Sequence, residues 1–236
     1  MKKIVLFALG LVAVATAHAQ DEKAKVETTV AADFVTNYIW RGLDCGNISV
    51  QPTLGIGYKG LSLSAWGSVG FTSTDTKEFD LTLAYSIGGF NIGVTDYWFN
   101  AGLDPLNRYF KYAADCTNHV FEANVGYDFG FLSLQWYTNF AGNDLVEATG
   151  KLAYSSYFEI NVPFTLGDVD WTATAGAVPF ATDFYGTEGF AVTNLALTAA
   201  KEFQVTDTFS IPAFAQVAAN PSARTAFLVF GISLQL

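Results

Sequence analysis

The sequence predicts an all-β protein: an antiparallel up-and-down transmembrane β-barrel of about twelve strands with both termini periplasmic. Three observations predict it. Apolar and polar residues alternate with a period of two from one end of the chain to the other, which is the repeat of a strand and not of a helix. The connections between these stretches alternate between tight and loose, as in barrels with short periplasmic turns and longer outer loops. The chain is 51% hydrophobic yet carries a net charge of −10, so its apolar residues are interleaved with polar ones.

The N-terminus reads as a secretory signal. Lys2 and Lys3 precede an apolar run from Ile4 to about Ala15, and Ala17-His18-Ala19 supplies the small-residue cleavage pattern. Residues 1–19 are therefore assigned to a signal peptide cleaved after Ala19, 20–27 to a periplasmic segment and 28–236 to the barrel. Cleavage removes two lysines and no acid, leaving ten basic residues against 22 acidic ones. Such an acidic chain lacks the basic surface that nucleic acid requires.

The first strand is placed in 33–42, DFVTNYIWRG, where Phe34, Thr36, Tyr38 and Trp40 share one parity and Asp33, Asn37 and Arg41 the other. Successive side chains of a strand point to opposite faces, so this strand is expected to turn its aromatic face to lipid and its charged face inward. Further alternating stretches follow: Ile48 to Tyr58, Leu61 to Phe71, Phe79 to Ile87, Phe121 to Tyr127 and Tyr154 to Phe164. Tight turns are expected at Lys59-Gly60, Gly88-Gly89, Gly130, Gly167-Asp168 and Thr206-Asp207. Looser connections are expected at 42–46, 72–76, 100–117, 142–150, 180–188 and 220–222.

In the last strand Leu228, Phe230, Ile232, Leu234 and Leu236 share a parity, a pattern common at the end of outer-membrane barrels. Aromatic residues gather at strand ends. Tyr38, Trp40, Phe71, Phe79 and Phe140 lie toward the loose connections; Tyr58, Tyr85, Phe90, Tyr127, Phe129, Phe164 and Trp171 lie toward the tight ones. Two such girdles fit the two lipid–water interfaces.

The N-terminal third resembles the Gcw_chp family of TorF-type barrels. The likeness rests on Asp33-Phe34 through Tyr38-Ile39-Trp40-Arg41-Gly42, on the strand from Gln51-Pro52 to Tyr58, on Trp66-Gly67-Ser68 and on Glu78-Phe79-Asp80-Leu81. It spans roughly residues 33–97. It implies an outer-membrane barrel and supplies no substrate. Cys45 and Cys116 lie outside the family pattern.

By parity, Asp33, Arg41, Gln51, Glu78, Asp80, Glu122, Asn124, Gln135, Glu159, Asn161 and Asp170 are expected to line the interior, with Asn91 and Asn194. Trp66, Tyr97, Tyr137, Tyr157 and Phe214 are expected to narrow it. An acidic lining attracts cations, so the expected function is a narrow porin-like channel favouring small cations or small polar solutes. A non-conducting structural or loop-binding barrel is the alternative. Arg41 is read either as the partner of Glu78 or Asp80 or as a solvated residue at a loop base. Asp96 breaks its strand's parity, placing it above the membrane or at a bulge.

Cys45 and Cys116 are a candidate disulfide pair, closing a loop of about 70 residues that could contribute about 4 kcal/mol. His119 has no serine or orienting acid at a spacing that marks a catalytic set, so no enzyme activity is expected. No metal site and no cofactor are expected, and outer-membrane lipids are the expected surroundings.

Overall fold

The computed structural model describes residues 25–72, 75, 77–100, 108–113, 116–207 and 209–235. The signal-peptide assignment and Leu236 lie outside these residues. Among the described residues fourteen strands are formed: β1 (Glu27–Val35), β2 (Tyr38–Trp40), β3 (Leu43–Gly46), β4 (Ser49–Tyr58), β5 (Leu61–Gly70), β6 (Lys77–Ile87), β7 (Phe90–Asn100), β8 (His119–Asp128), β9 (Ser133–Gly142), β10 (Ser156–Leu166), β11 (Val169–Val178), β12 (Ala191–Thr206), β13 (Phe209–Asn220) and β14 (Thr225–Gln235).

Twelve of them, β1 and β4 through β14, form one closed antiparallel barrel. Neighbours in sequence pair throughout, and β1 closes the ring against β14 with Asp33 opposite Ser233 and Val35 opposite Gly231. On its other side β1 pairs with β4, placing Asp33 opposite Gln51. Closure leaves no sheet edge with unpaired backbone groups. The tight connections all fall at one end of the barrel. Lys59 and Gly60 have φ of 51° and 83°, and Gly88 and Gly89 have 56° and 87°. Two successive positive values mark the two-residue turn whose twist matches the flanking strands.

The two faces of the wall are inverted relative to a soluble sheet. Inward positions are buried and largely polar: Ser49, Gln51, Ser68, Thr82, Asn91, Thr95, Gln135 and Asn139. Outward positions are apolar and open, with Leu54 at 58%, Leu63 at 51% and Leu83 at 53% exposure. Soluble monomers rarely expose contiguous apolar patches larger than a few hundred Å². A band of this kind running round a closed barrel has the character of a lipid-facing surface.

One expectation about the wall is overturned. Residues 33–42 do not make a single wall strand. β1 leaves the wall at Val35, where the Thr36 N–H donates to the Phe230 carbonyl and the Thr36 hydroxyl accepts from the Phe230 N–H. The chain then turns inward, and β2 and β3 pair as a separate two-stranded hairpin. Tyr38 and Ile39 are buried, at 7% and 6% exposure. Tyr38 and Trp40 therefore belong to the lumen and not to the outer girdle. The period-two pattern continues through the turn because the hairpin is itself β-structure, while the surface it faces changes from lipid to the barrel's own interior.

Candidate functional site in the stoppered lumen

The hairpin reverses at Arg41 and Gly42, whose φ values are 51° and 80°. A Cβ on Gly42 would stand 1.8 Å from the Thr193 carbonyl oxygen. Glycine is therefore required twice, for its dihedral and for the close approach to β12. Asn220 of β13 donates its side-chain N–H to the Gly42 carbonyl at 3.2 Å. The tip of the hairpin is thus pinned to the inner face of β12 and β13, while its root leaves from β1.

The turn projects Arg41 across the lumen to β8. Its Nη1 donates to Glu122 Oε2 at 2.5 Å and its Nη2 to Glu122 Oε1 at 2.9 Å, a two-point contact of charged partners. Nη1 also donates to the Tyr185 hydroxyl at 2.6 Å, and the Tyr97 hydroxyl donates to Glu122 Oε1 at 2.9 Å. Aromatic faces enclose the guanidinium. Its carbon lies 3.9 Å from the Tyr137 ring centroid, 4.3 Å from Trp40 and 4.8 Å from Tyr157. Cation–π attraction strengthens where water is excluded, and both Arg41 and Glu122 are buried. The sequence offered Glu78, Asp80 or solvent as the surroundings of Arg41. The partner is Glu122, because the hairpin carries Arg41 across the lumen.

Tyr185 comes from the connection between β11 and β12, which folds inward over the hairpin. Its ring stacks on Trp40 and on Tyr157, and Phe184 meets the edge of Trp40. The connection is fastened by mutual backbone hydrogen bonds between Thr182 and Thr187. It is also fastened through Ser155, whose hydroxyl bonds Asp144 and Thr182.

The remaining predicted interior residues are spread round the wall. Glu78 and Asp80 lie on the inner face of β6, with Asp80 opposite Trp66 and Tyr97. Tyr38 packs against Trp66 at 5.5 Å between centroids and lies beside the Glu78 carboxyl. Glu78 Oε2 and Asp80 Oδ1 are buried and meet no hydrogen-bond donor among the described residues. Asn124 donates to Asn91, Thr82 bonds Thr95, and Gln51 donates to Ser49. Gln135 lies across Gly126. Glu159 accepts from Tyr157 and Asn161, and Asn161 accepts from Thr174. Asp170 sits at the tight-turn end, accepting from Thr165. Asp33 faces inward between Gln51 and Ser233. The bulky residues expected inside are there as well, with Tyr97, Tyr157 and Phe214 buried.

At the base of the hairpin, Asn47 donates to Asp75 Oδ1 at 2.9 Å and the Thr72 N–H donates to Asp75 Oδ2 at 2.9 Å. These bonds, the Thr72 backbone first, hold the Asp75 carboxyl below the usual carboxylate range. Cys45 and Cys116, the candidate disulfide pair, are both free thiols, one half-buried on β3 and the other exposed beyond β7.

Asp96 is in register, opposite Leu81 and Phe121, and faces outward. The irregularity lies instead on β8, between Phe121 and Glu122. Asp96 bonds His119 Nδ1 at 2.6 Å, and His119 Nε2 lies on the Tyr109 carbonyl. Both ring nitrogens of His119 thus have partners, one on the wall and one in the β7–β8 connection.

Sequence reasoning missed the hairpin, Tyr185, Asn220 and Thr193. One signal was available for the hairpin: an Arg-Gly pair between Tyr-Ile-Trp and Leu-Asp-Cys is a two-residue turn flanked by strand formers. Nothing local marks Tyr185 as an inward residue.

No known family model and no curated protein matches the sequence. Among solved structures, the KdgM porin aligns over 88% of this chain and 99% of its own, at 9% identity and a TM-score of 0.45. The NanC porin aligns over 88% and 98%, at 8% identity and a TM-score of 0.45. Outer membrane phospholipase A from Escherichia coli aligns over 94% of both chains, at 11% identity and a TM-score of 0.43.

Proposed function

We propose that this chain is an outer-membrane channel barrel of the porin type, stoppered by the β2–β3 hairpin and lined to favour small cations or small polar solutes. The observation that carries the reading is the hairpin latched across a polar lumen by Arg41 and Glu122. A barrel whose only task is structural can fill its interior with apolar side chains. Here the interior carries Asp33, Glu78, Asp80, Gln51, Asn91 and Gln135, and an obstruction held by polar contacts that can be broken. The N-terminal resemblance to Gcw_chp and TorF-type barrels agrees with this class and adds no solute.

The general plan of such barrels puts the tight turns, and with them both chain ends, on the periplasmic side. The long connections, including 179–190 over the hairpin, then face outward. The cation preference rests on Glu78 and Asp80, buried side by side on β6 with acceptor oxygens that meet no donor. With the stopper displaced, that stretch of wall would present negative charge to a passing ion. A non-conducting barrel that binds through its outer loops is the second reading, favoured by how fully the hairpin and Tyr185 fill the lumen.

The test is the reversal potential of the folded protein in a planar bilayer under a salt gradient, with a Glu78→Gln/Asp80→Asn variant beside it. Cation-selective steps that lose selectivity in the variant support the reading. Anion selectivity, or selectivity unchanged in the variant, removes the acidic lining as its cause. Lasting silence from the folded protein and from latch variants supports the non-conducting barrel.

A further inference from the structure

The residues that hold Arg41 fall into two sets. Trp40 belongs to the hairpin and travels with it. Tyr97, Glu122, Tyr137 and Tyr157 stand on β7, β8, β9 and β10, four strands that neighbour one another in the barrel wall. With the hairpin displaced, these four would still face one another across the same small volume.

The wall set is fixed without help from Arg41. Tyr137 and Tyr157 are opposite each other in the β9–β10 register, with ring centroids 6.1 Å apart. The Tyr157 hydroxyl donates to Glu159 at 2.7 Å and accepts from Asn194 at 3.3 Å. A Cβ on Gly176 would stand 1.8 Å from that hydroxyl, so β11 leaves the room that Tyr157 fills. Tyr97 stacks on Phe99 and directs its hydroxyl to Glu122.

One polar side chain beside Glu122 is unused. Asn139 stands opposite Glu122 in the β8–β9 register, so the two share the inner face. Asn139 has no exposed surface, and neither its amide oxygen nor its amide nitrogen meets a hydrogen-bond partner among the described residues. Buried polar atoms are seldom left so. An acceptor that Arg41 does not use suits a cation with further N–H groups and no backbone tether.

We infer that these wall residues form a binding site for a small guanidinium-bearing solute, and that Arg41 occupies it as a tethered substitute. A planar guanidinium can lie against ring faces while directing two N–H groups at one carboxylate, as Arg41 does. An ammonium is a point charge and lacks that fork. Removing Arg41 leaves Glu122 as a buried charge beside aromatic faces, where a cation gains most. A solute that takes this site displaces the latch, so one contact would both recognise the solute and open the lumen. The inference deepens the proposed channel and rests on the hairpin being its stopper.

The experiment titrates the full folded barrel, in neutral detergent micelles at constant pH, with methylguanidinium, followed by isothermal titration calorimetry. Arg41→Ala, which empties the site, should bind it saturably. Arg41→Ala/Glu122→Gln should bind it at least about tenfold more weakly, and methylammonium should bind Arg41→Ala more weakly by a similar factor. In the wild type, methylguanidinium should speed maleimide labelling of Cys45 severalfold, and methylammonium should not. Absence of saturable binding by folded Arg41→Ala overturns the inference. Equal binding of the two cations, or binding indifferent to Glu122, overturns it as well. Should Arg41→Ala not fold, the wild type decides: labelling of Cys45 no faster in methylguanidinium than in methylammonium overturns it. Binding to Arg41→Ala, with lasting silence of every folded form in the bilayer, would support the site and count against the channel instead.

Discussion

Arg41 and Glu122, 81 residues apart in the chain, meet inside the barrel in a buried two-point contact ringed by Tyr97, Tyr137, Tyr157 and Tyr185. The pair fastens a short hairpin to the far wall of the lumen. Breaking one side of a buried pair leaves an uncompensated charge, which costs about 3–5 kcal/mol. Glu122→Gln should therefore either destabilise the seated hairpin by about that amount or release it so that Arg41 reaches water. In the second case the barrel keeps its heat-resistant mobility in gels while Cys45 becomes reactive to a water-soluble maleimide. Unchanged Cys45 reactivity together with unchanged stability would remove the pair as the latch.

Gly42→Ala attacks the same element from its backbone. The residue has φ of 80°, and its Cβ would fall 1.8 Å from the Thr193 carbonyl oxygen. The left-handed geometry alone costs about 1–3 kcal/mol for a residue with a side chain, and the clash with β12 adds to it. The tip should fail to seat while the twelve-stranded wall remains. Faster maleimide labelling of Cys45 with an unaltered β-sheet circular dichroism spectrum is the expected outcome.

Acid should loosen the root of the hairpin. Asp75 is held below its ordinary range by the Thr72 N–H and the Asn47 amide. A depressed carboxylate contributes its stabilisation in full above its unfolded value of about 3.9. That contribution is lost as pH falls through the lower folded value. Tryptophan emission, to which Trp40 of the hairpin contributes, should therefore be steady at pH 5 and change as pH drops below about 4. In Asp75→Asn the change should be present already at pH 5 and lose that part of its pH dependence.

The architecture was legible in the sequence to a large degree, and the site much less so. Period-two alternation fixes which face of a wall strand looks inward, so Asp33, Gln51, Glu78, Asp80, Glu122 and Gln135 fall inside as parity requires. Tight turns announce themselves through Lys59-Gly60 and Gly88-Gly89 because positive φ demands particular residues. The hairpin was hidden by the same rule. Tyr38, Ile39 and Trp40 alternate like any wall strand, and local pattern does not say whether an aromatic face meets lipid or other aromatic rings. The pairing of Arg41 with Glu122 is set by where the hairpin crosses the lumen, which is a tertiary fact. Tyr185 lies in a connection whose inward course depends on the hairpin beneath it.

The outer wall makes its own prediction. Leu83 is exposed on β6, whereas its neighbour Thr82 faces the lumen and bonds Thr95. Leu83→Arg should reduce folding stability in liposomes by about 2–4 kcal/mol if this position sits near the bilayer midplane. Urea titration followed by tryptophan emission measures the difference. A cost near zero would place this face in water.

The most direct measurement is the single-channel conductance of the wild type beside Arg41→Ala, both shown to be folded, in the same planar bilayer. A hairpin that stoppers the lumen gives a wild type that is silent or passes small steps, and a variant with steps severalfold larger. Identical traces from the two proteins would mean that the Arg41–Glu122 contact does not control passage through the barrel.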